Sequence, residues 1–189
     1  MKSGGLPFVS LKCVNRGGGF RIDGLKRFSG DYTQTNICQI GDIVVAVTDM
    51  TQERRIVAHA ARVPRLGAEF GVMSMDLVKI LPSGELPKGF LHGLLRFSEF
   101  SPSVSQHANG VNVLHLSPSQ IEAFEFPCPP LGLASQYAEI NDALFDTADV
   151  LEAKNANLRR TRDLLLPRLM SGAIAAPAVG SETLIEKEI

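Results

Sequence analysis

The stretch SQYAEINDALFDTADVLEAKNANLRRTRDLLL (135–166) contains neither glycine nor proline. Tyr137, Leu144, Leu151, Leu158 and Leu165 recur every seven residues, and Ile140, Phe145, Ala148 and Val150 widen the apolar stripe. That spacing predicts one long helix; 32 residues rising 1.5 Å each would make a rod of roughly 48 Å. Acids crowd its front (Glu139, Asp142, Asp146, Asp149) and bases its back (Arg159, Arg160, Arg162), complementing the helix dipole. Pro167 disfavours helical geometry at the preceding residue, so the regular rod is expected to end at Leu166. A lone helix of this length is marginal in water, and a seven-residue Leu repeat is the seam of a coiled coil. The expected partner interface is Tyr137, Ile140, Leu144, Leu151, Leu158 and Leu165. The alternative is that the rod folds back on its own domain, although a body of about 125 residues has a radius of gyration near only 14 Å. Lys154, Asn155 and Arg162 interrupt the seam and suit selection of register or partner.

Upstream the chain is of a different kind. From Leu6 to about Phe126 it predicts short strands broken by Gly and Pro: Phe8–Val14, Ile43–Val47, Ile56–Val63, Val72–Leu81, Val111–Leu116 and Phe124–Phe126. Ile43–Val47 is apolar throughout, as expected of a strand buried on both faces. Phe90–Phe97 has helical spacing, and Ser117-Pro118 supplies a good N-cap followed by proline at the first helical position. The predicted class is α+β (mixed α/β) followed by a long C-terminal helix. The expected division is 1–130 for the folded domain, 131–170 for the helix and 171–189 for a flexible tail, Ala/Pro-rich and then charged.

Bulk composition narrows the function classes. The 189 residues are 44% hydrophobic and 21% charged, as in a soluble globular protein. No apolar run approaches the roughly 18 residues that span a bilayer, and the first residues lack a secretory signal, so a cytoplasmic location is expected. Cys13, Cys38 and Cys128 show no paired spacing, which points to three free thiols. The net charge of −1 hides an asymmetry: residues 1–62 hold nine Lys/Arg against five acids, which is +4 and leaves −5 for the remainder. A basic first third can meet phosphates.

Catalytic signatures are lacking. Gly17-Gly18-Gly19-Phe20-Arg21 is not a phosphate loop, because the Lys-Ser/Thr that would hold phosphate and magnesium is absent. Its expected role is a flexible turn that lets Arg21, Lys26 and Arg27 approach a nucleic-acid backbone. His59, His92, His107 and His115 have no metal-ligand spacing. Asp76-Leu-Val-Lys79 is one residue too long for a nuclease carboxylate–lysine pair, whose members on a strand would then point to opposite faces. No catalytic residue, metal site or cofactor is assigned to this chain. Groups suited to reading DNA are more plentiful. Thr48, Met50, Thr51, Gln52, Arg54 and Arg55 follow the buried strand within eight residues; Gln can pair bidentately with adenine, Arg with guanine or phosphate, and Thr or Met can touch a thymine methyl.

Gly5–Val14 (GLPFVSLKCV), Gly41–Gln52 (GDIVVAVTDMTQ), Ser74–Ile80 (SMDLVKI), Ala108–Ser117 (ANGVNVLHLS) and Thr161–Gly172 (TRDLLLPRLMSG), in this order, resemble the specificity subunit of type I restriction–modification systems. The resemblance runs from about Leu6 to Ile174. It implies an α/β target-recognition domain that reads half of a split DNA site, and helices that form an antiparallel coiled coil fixing the gap between halves. It also implies docking to methylation subunits, which bring S-adenosylmethionine and the catalytic site, with a restriction subunit as a further optional partner. The family usually carries two recognition domains and two long helices per chain, and this chain has one of each. The family's Pro-Pro-Leu-x-Glu-Gln helix opening survives only as Pro129-Pro130-Leu131, and the chain starts almost at the first strand, as a natural half-subunit or a fragment would. Two copies are therefore expected to pair as an antiparallel homodimer on double-stranded DNA. Two other classes stay open: a non-DNA protein-interaction scaffold with a dimerisation helix, and a stand-alone enzyme.

Overall fold

A computed structural model describes residues 4–82 and 84–174. The chain divides into two compact units, Met1–Asp146 and Thr147–Ile189. The first is a mixed α/β body organised around the strand β4 (Ile43–Ala46), every residue of which is buried. Alternate side chains of a strand point to opposite faces, and here each face has its own core. Ile43, Val45 and Val47 join one cluster with Leu95, Phe100, Val104 and Leu114. Val44 and Ala46 join another with Val9, Cys13, Cys38, Val63 and Met73. The uninterrupted apolar run is therefore what a strand between two cores requires.

Two sheets follow from this division. β1 (Leu6–Val9), β2 (Lys26–Phe28), β3 (Ile37–Cys38) and β7 (Gly71–Met73) form a four-stranded sheet in the order β2-β1-β7-β3. β4 is the centre of a three-stranded antiparallel sheet, flanked by β6 (Ala60–Arg62) and β8 (Leu77–Ile80), with Val44 opposite both Ala61 and Lys79. β5 (Thr48–Asp49) pairs with β9 (Leu114–His115) as a separate ribbon. The helices α1 (Lys88–Phe97) and α2 (Phe100–Ser105) supply Leu95, Phe100 and Val104 to the first core. α3 (Pro118–Glu122) starts at Ser117 with proline in its first turn, as expected from the sequence.

Several expected strands are shorter. Phe8–Val14 is β1 only as far as Val9, after which residues 11–13 turn as a 3-10 helix and bury Cys13. Ile56–Val63 is extended only at β6, because Ala58 takes a φ of +63°. Val72–Leu81 is two strands, since the chain leaves one sheet after Met73 and enters the other at Leu77. Val111–Leu116 reduces to β9. Phe124–Phe126 is not a strand: its rings pack against Phe100 and Phe90 at centroid distances of 5.2 and 6.4 Å. Aromatic packing uses the same apolar alternation that backbone pairing would have used.

The long helix α4 runs from Leu131 to Met170, starting earlier and ending later than residues 135–166. It continues through Pro167, contrary to the stop expected at Leu166. Proline removes one backbone donor and crowds one carbonyl a turn earlier, but only three helical residues follow it. Beyond them Ser171 N–H donates to the Pro167 carbonyl (3.0 Å), Gly172 N–H to Leu169 (3.1 Å) and Ile174 N–H to Arg168 (3.2 Å), satisfying the terminal carbonyls. The expected tail lies outside the described residues beyond Ile174.

The first turns of α4 pack on the body. Ala134, Ala138 and Asn141 are buried, and Asn141 Nδ2 donates to the Gly89 carbonyl at 3.0 Å. Gly93 has no side chain where the Tyr137 ring sits; a Cβ there would lie 2.3 Å from the Tyr137 hydroxyl. Arg62 on β6 pairs with Asp146 at 2.6 Å and Asp142 at 4.0 Å, so two of the acids at the front of the helix serve the body. In the second unit, every residue from Leu151 to Met170 is exposed.

Candidate nucleic-acid interface

The segment leaving β4 is built around one carboxylate. Asp49 is 2% exposed and accepts hydrogen bonds from Thr51 N–H (2.9 Å), Thr51 Oγ1 (2.9 Å), Ile56 N–H (2.8 Å) and Val57 N–H (3.4 Å). Burial by itself would raise its pKa, but these bonds together hold it below the ordinary carboxylate value. The result is a loop, residues 50–56, fixed at both ends to the same side chain. Thr48, a candidate DNA contact from sequence, is instead buried and donates to Asp76 Oδ1 at 2.9 Å. As a strand residue it points inward, so its hydroxyl holds the β7–β8 turn and does not face a ligand.

The loop's polar side chains divide by task. Arg54 adopts a φ of +53°, which costs a non-glycine residue about 1 kcal/mol. Its Nε donates to the Ser105 carbonyl at 3.1 Å and its Nη2 to Ala108 at 3.4 Å, a cation placed at the C-terminal end of α2. Gln52 Nε2 donates to the carbonyls of Gly110 (3.2 Å) and Val111 (3.0 Å). These two side chains tie the loop to its neighbours. Met50 is 70% exposed, Thr51 is exposed, and Arg55 pairs with Glu53 at 2.5 Å on the surface.

Met50, Thr51 and Arg55 line a groove of about 840 Å³ together with Lys12, Arg16, Arg21 and Arg96. The structure thus brings together Arg21, Met50, Thr51 and Arg55 of the expected DNA contacts. Lys26 and Arg27 lie on β2 outside this lining, and Arg27 Nη1 donates to the Gly5 carbonyl at 3.3 Å. Lys12, Arg16 and Arg96 were not singled out from the sequence. For Lys12 and Arg16 the signal in the sequence is the basic excess of residues 1–62, which does not say which bases share a surface; Arg96 lies outside that stretch. The triglycine segment is anchored: Gly19 N–H donates to Ala60 (2.8 Å) and Gly17 N–H to Arg55 (3.3 Å), while Arg96 Nη1 donates to the Gly17 carbonyl. A Cβ at Gly18 would lie 2.9 Å from Arg96 Nη1, so glycine admits the guanidinium beneath the turn. Five cationic residues therefore line the groove; Arg21 and Arg55 are paired at the surface with Asp23 (3.7 Å) and Glu53 (2.5 Å), and Asp49, the carboxylate in the lining among the described residues, is fully engaged.

Other sequence candidates are structural. Asp76 bonds Thr48, whereas Lys79 Nζ donates to the Ile37 carbonyl at 2.8 Å and approaches Asp42 at 3.6 Å. Ser101 Oγ meets His59 Nδ1 at 2.7 Å, a hydroxyl–imidazole pair, but Ser101 is only 6% exposed. No cluster of three potential metal ligands occurs among the described residues. No helix among them is long and apolar enough to cross a membrane.

Of the expected seam, Tyr137 meets Phe90 edge-on (6.0 Å) while staying exposed, as Ile140, Leu144, Leu151, Leu158 and Leu165 are.

The architecture has counterparts among solved structures. A crystal structure of the HsdS subunit from Thermoanaerobacter tengcongensis aligns with a TM-score of 0.50 at 16% identity, covering 92% of this chain and 44% of that one. The chain has the fold of an HsdS subunit. A chain from a study of complex assembly and conformational transition of the type I R-M system aligns at a TM-score of 0.51 and 16% identity, over 88% of this chain and 38% of that one. The HsdS-like fold here thus spans about two fifths of the length of the solved chains it matches. No protein-family profile and no curated protein matches the sequence.

Proposed function

We propose that this chain is a non-catalytic, sequence-specific DNA-recognition subunit of a type I restriction–modification complex, reading one half of a bipartite site. The observation that carries the reading is the groove that Lys12, Arg16 and Arg21 line together with Met50, Thr51 and Arg55. It offers cations for phosphates beside a loop whose exposed side chains can reach base edges. The HsdS-like fold supports the same assignment. Methylation subunits, carrying S-adenosylmethionine, are the proposed catalytic partners, with a restriction subunit as an optional addition. Neutralising Arg16 and Arg21 together (R16Q/R21Q) is expected to weaken duplex binding about tenfold or more and to lower the slope of log affinity against log salt by about two. An unchanged affinity and slope would remove the groove from the interface.

The complex is proposed to hold two copies in antiparallel arrangement. Residues 139–152 carry five acids and no base, while 154–168 carry five bases and one acid. Antiparallel pairing sets these halves against each other twice; parallel pairing sets like against like. The apolar seam left exposed at Leu144, Leu151, Leu158 and Leu165 supplies the contact. Sedimentation is expected to show a concentration-dependent dimer that L151E/L158E converts to monomer. A wild-type chain that stays monomeric at high concentration, with and without a methylation subunit, would contradict the pairing.

A second reading is favoured by one observation. An apolar groove of about 450 Å³ lies between β8, α1 and α3, lined by Leu81, Leu86, Leu91, Leu94, Ile121 and Phe124. Such a surface suits a protein-interaction scaffold. Absence of any gel shift with random duplexes at low salt would favour that reading over DNA recognition.

A further inference from the structure

We infer that the exposed side chains of Met50, Met75 and Val111 form an apolar reader of thymine methyl groups in the DNA major groove. The inference rests on the DNA-recognition reading and deepens it.

Three loops meet at one end of β4. Antiparallel pairing places Ala46 opposite Leu77, so the β7–β8 turn carrying Met75 lies where β4 ends. Val47 N–H donates to the Asp76 carbonyl at 2.9 Å and Thr48 Oγ1 to its carboxylate at 2.9 Å, fixing that turn to the start of β5. Asp49 lies opposite Leu114, which puts residues 110–113 beyond the same end, and Gln52 bonds the carbonyls of Gly110 and Val111. Each loop carries one strongly exposed apolar residue: Met50 at 70%, Met75 at 91% and Val111 at 92%. None of the three belongs to either core. Packing therefore does not require an apolar residue at these tips.

The chemistry and the surroundings select the occupant. Met50 also lines the cationic groove with Lys12, Arg16 and Arg21, so a polyanion held there lies beside the tips. Methionine and valine offer base edges no strong donor or acceptor. What they distinguish is an apolar group, and in the major groove that group is the C5-methyl of thymine. The loops are fixed by hydrogen bonds beforehand, so little ordering entropy opposes the contact.

The test uses the full chain and duplexes selected from a random pool at low salt. The selected duplex is compared with one in which deoxyuridine replaces thymidine, a change that removes methyl groups alone. Binding is expected to weaken about fourfold for each contacted thymine, the equivalent of roughly 0.8 kcal/mol for one buried apolar carbon. In M75A or V111A the ratio between the two duplexes is expected to move toward one. Equal wild-type affinity for both duplexes, or selected sites without thymine, overturns the methyl reader and leaves DNA recognition standing. Failure to retain any duplex overturns both.

Discussion

Replacing Asp49 by alanine is expected to lower the unfolding free energy by about 3 kcal/mol and the melting temperature by roughly 10 °C. The carboxylate is nearly inaccessible and receives four hydrogen bonds, three from backbone N–H groups. Alanine leaves the Ile56 and Val57 donors without that acceptor, and burial prevents water from replacing it fully. Asp49→Asn keeps one acceptor oxygen and should fall between wild type and alanine. Urea titration of the three proteins at neutral pH checks the order. Equal midpoints for wild type and alanine would show that the loop does not depend on this side chain. On the DNA-recognition proposal the effect should reach duplex binding too, because residues 50–56 include Met50, Thr51 and Arg55 of the groove lining. The sign with pH is fixed by the lowered pKa: the stabilisation is full above the unfolded value of about 3.8 and is lost as pH falls through the folded value.

The second large effect is acid lability through His92. This side chain is 1% exposed, with Asn141 Nδ2 at 3.4 Å from Nδ1 and the Phe145 ring edge-on at 4.4 Å. Its Nε2 has no partner among the described residues. Burial, and then the guanidinia of Arg62 and Arg96, push its pKa down to about 4 from 6.5. The unfolded chain therefore takes up a proton at a pH where the folded chain does not. Stability is full above pH 6.5 and declines as pH falls toward 4, by about 3 kcal/mol over the whole window. His59, also lowered by burial first and Arg96 second, adds in the same direction. His92→Leu removes the titrating ring and should flatten most of this slope. Denaturant midpoints measured from pH 7 to pH 4.5 decide it; parallel slopes for wild type and variant would clear His92 of the effect. The contacts at risk are those between α1 and the start of α4, so loss of helix docking should accompany the decline.

The sequence was most informative where one physical demand acted alone. Ile43–Val47 reads as a doubly buried strand because nothing but burial shapes it, and the seven-residue leucine spacing reads as a helix because no other structure repeats so. Where two demands overlapped, the reading failed. The alternation in Phe124–Phe126 serves ring packing, and that of Val72–Leu81 hides a change of sheet in the middle. The helix passed Pro167 because the loss of one donor falls close to the end, where carbonyls are satisfied by the residues that follow. In the candidate site, the sequence marks the stretch from Thr48 to Arg55 as polar and exposed after a buried strand, but it does not sort the groove-lining members from those that hold the scaffold. Thr48 and Arg54 hold the scaffold through partners 28 and more than 50 residues away, and such pairings leave no local trace. Lys12 and Arg16 were equally invisible, since only folding brings residues 12–21 against 50–55.

β4 keeps its side chains in two interiors, yet the three tips hang beyond one end of it. Substitution within the strand disturbs one core or the other, whereas positions 50, 75 and 111 belong to neither. On the DNA-recognition proposal, a lineage could therefore change the bases it selects by altering a rim a few residues wide while inheriting the interior intact.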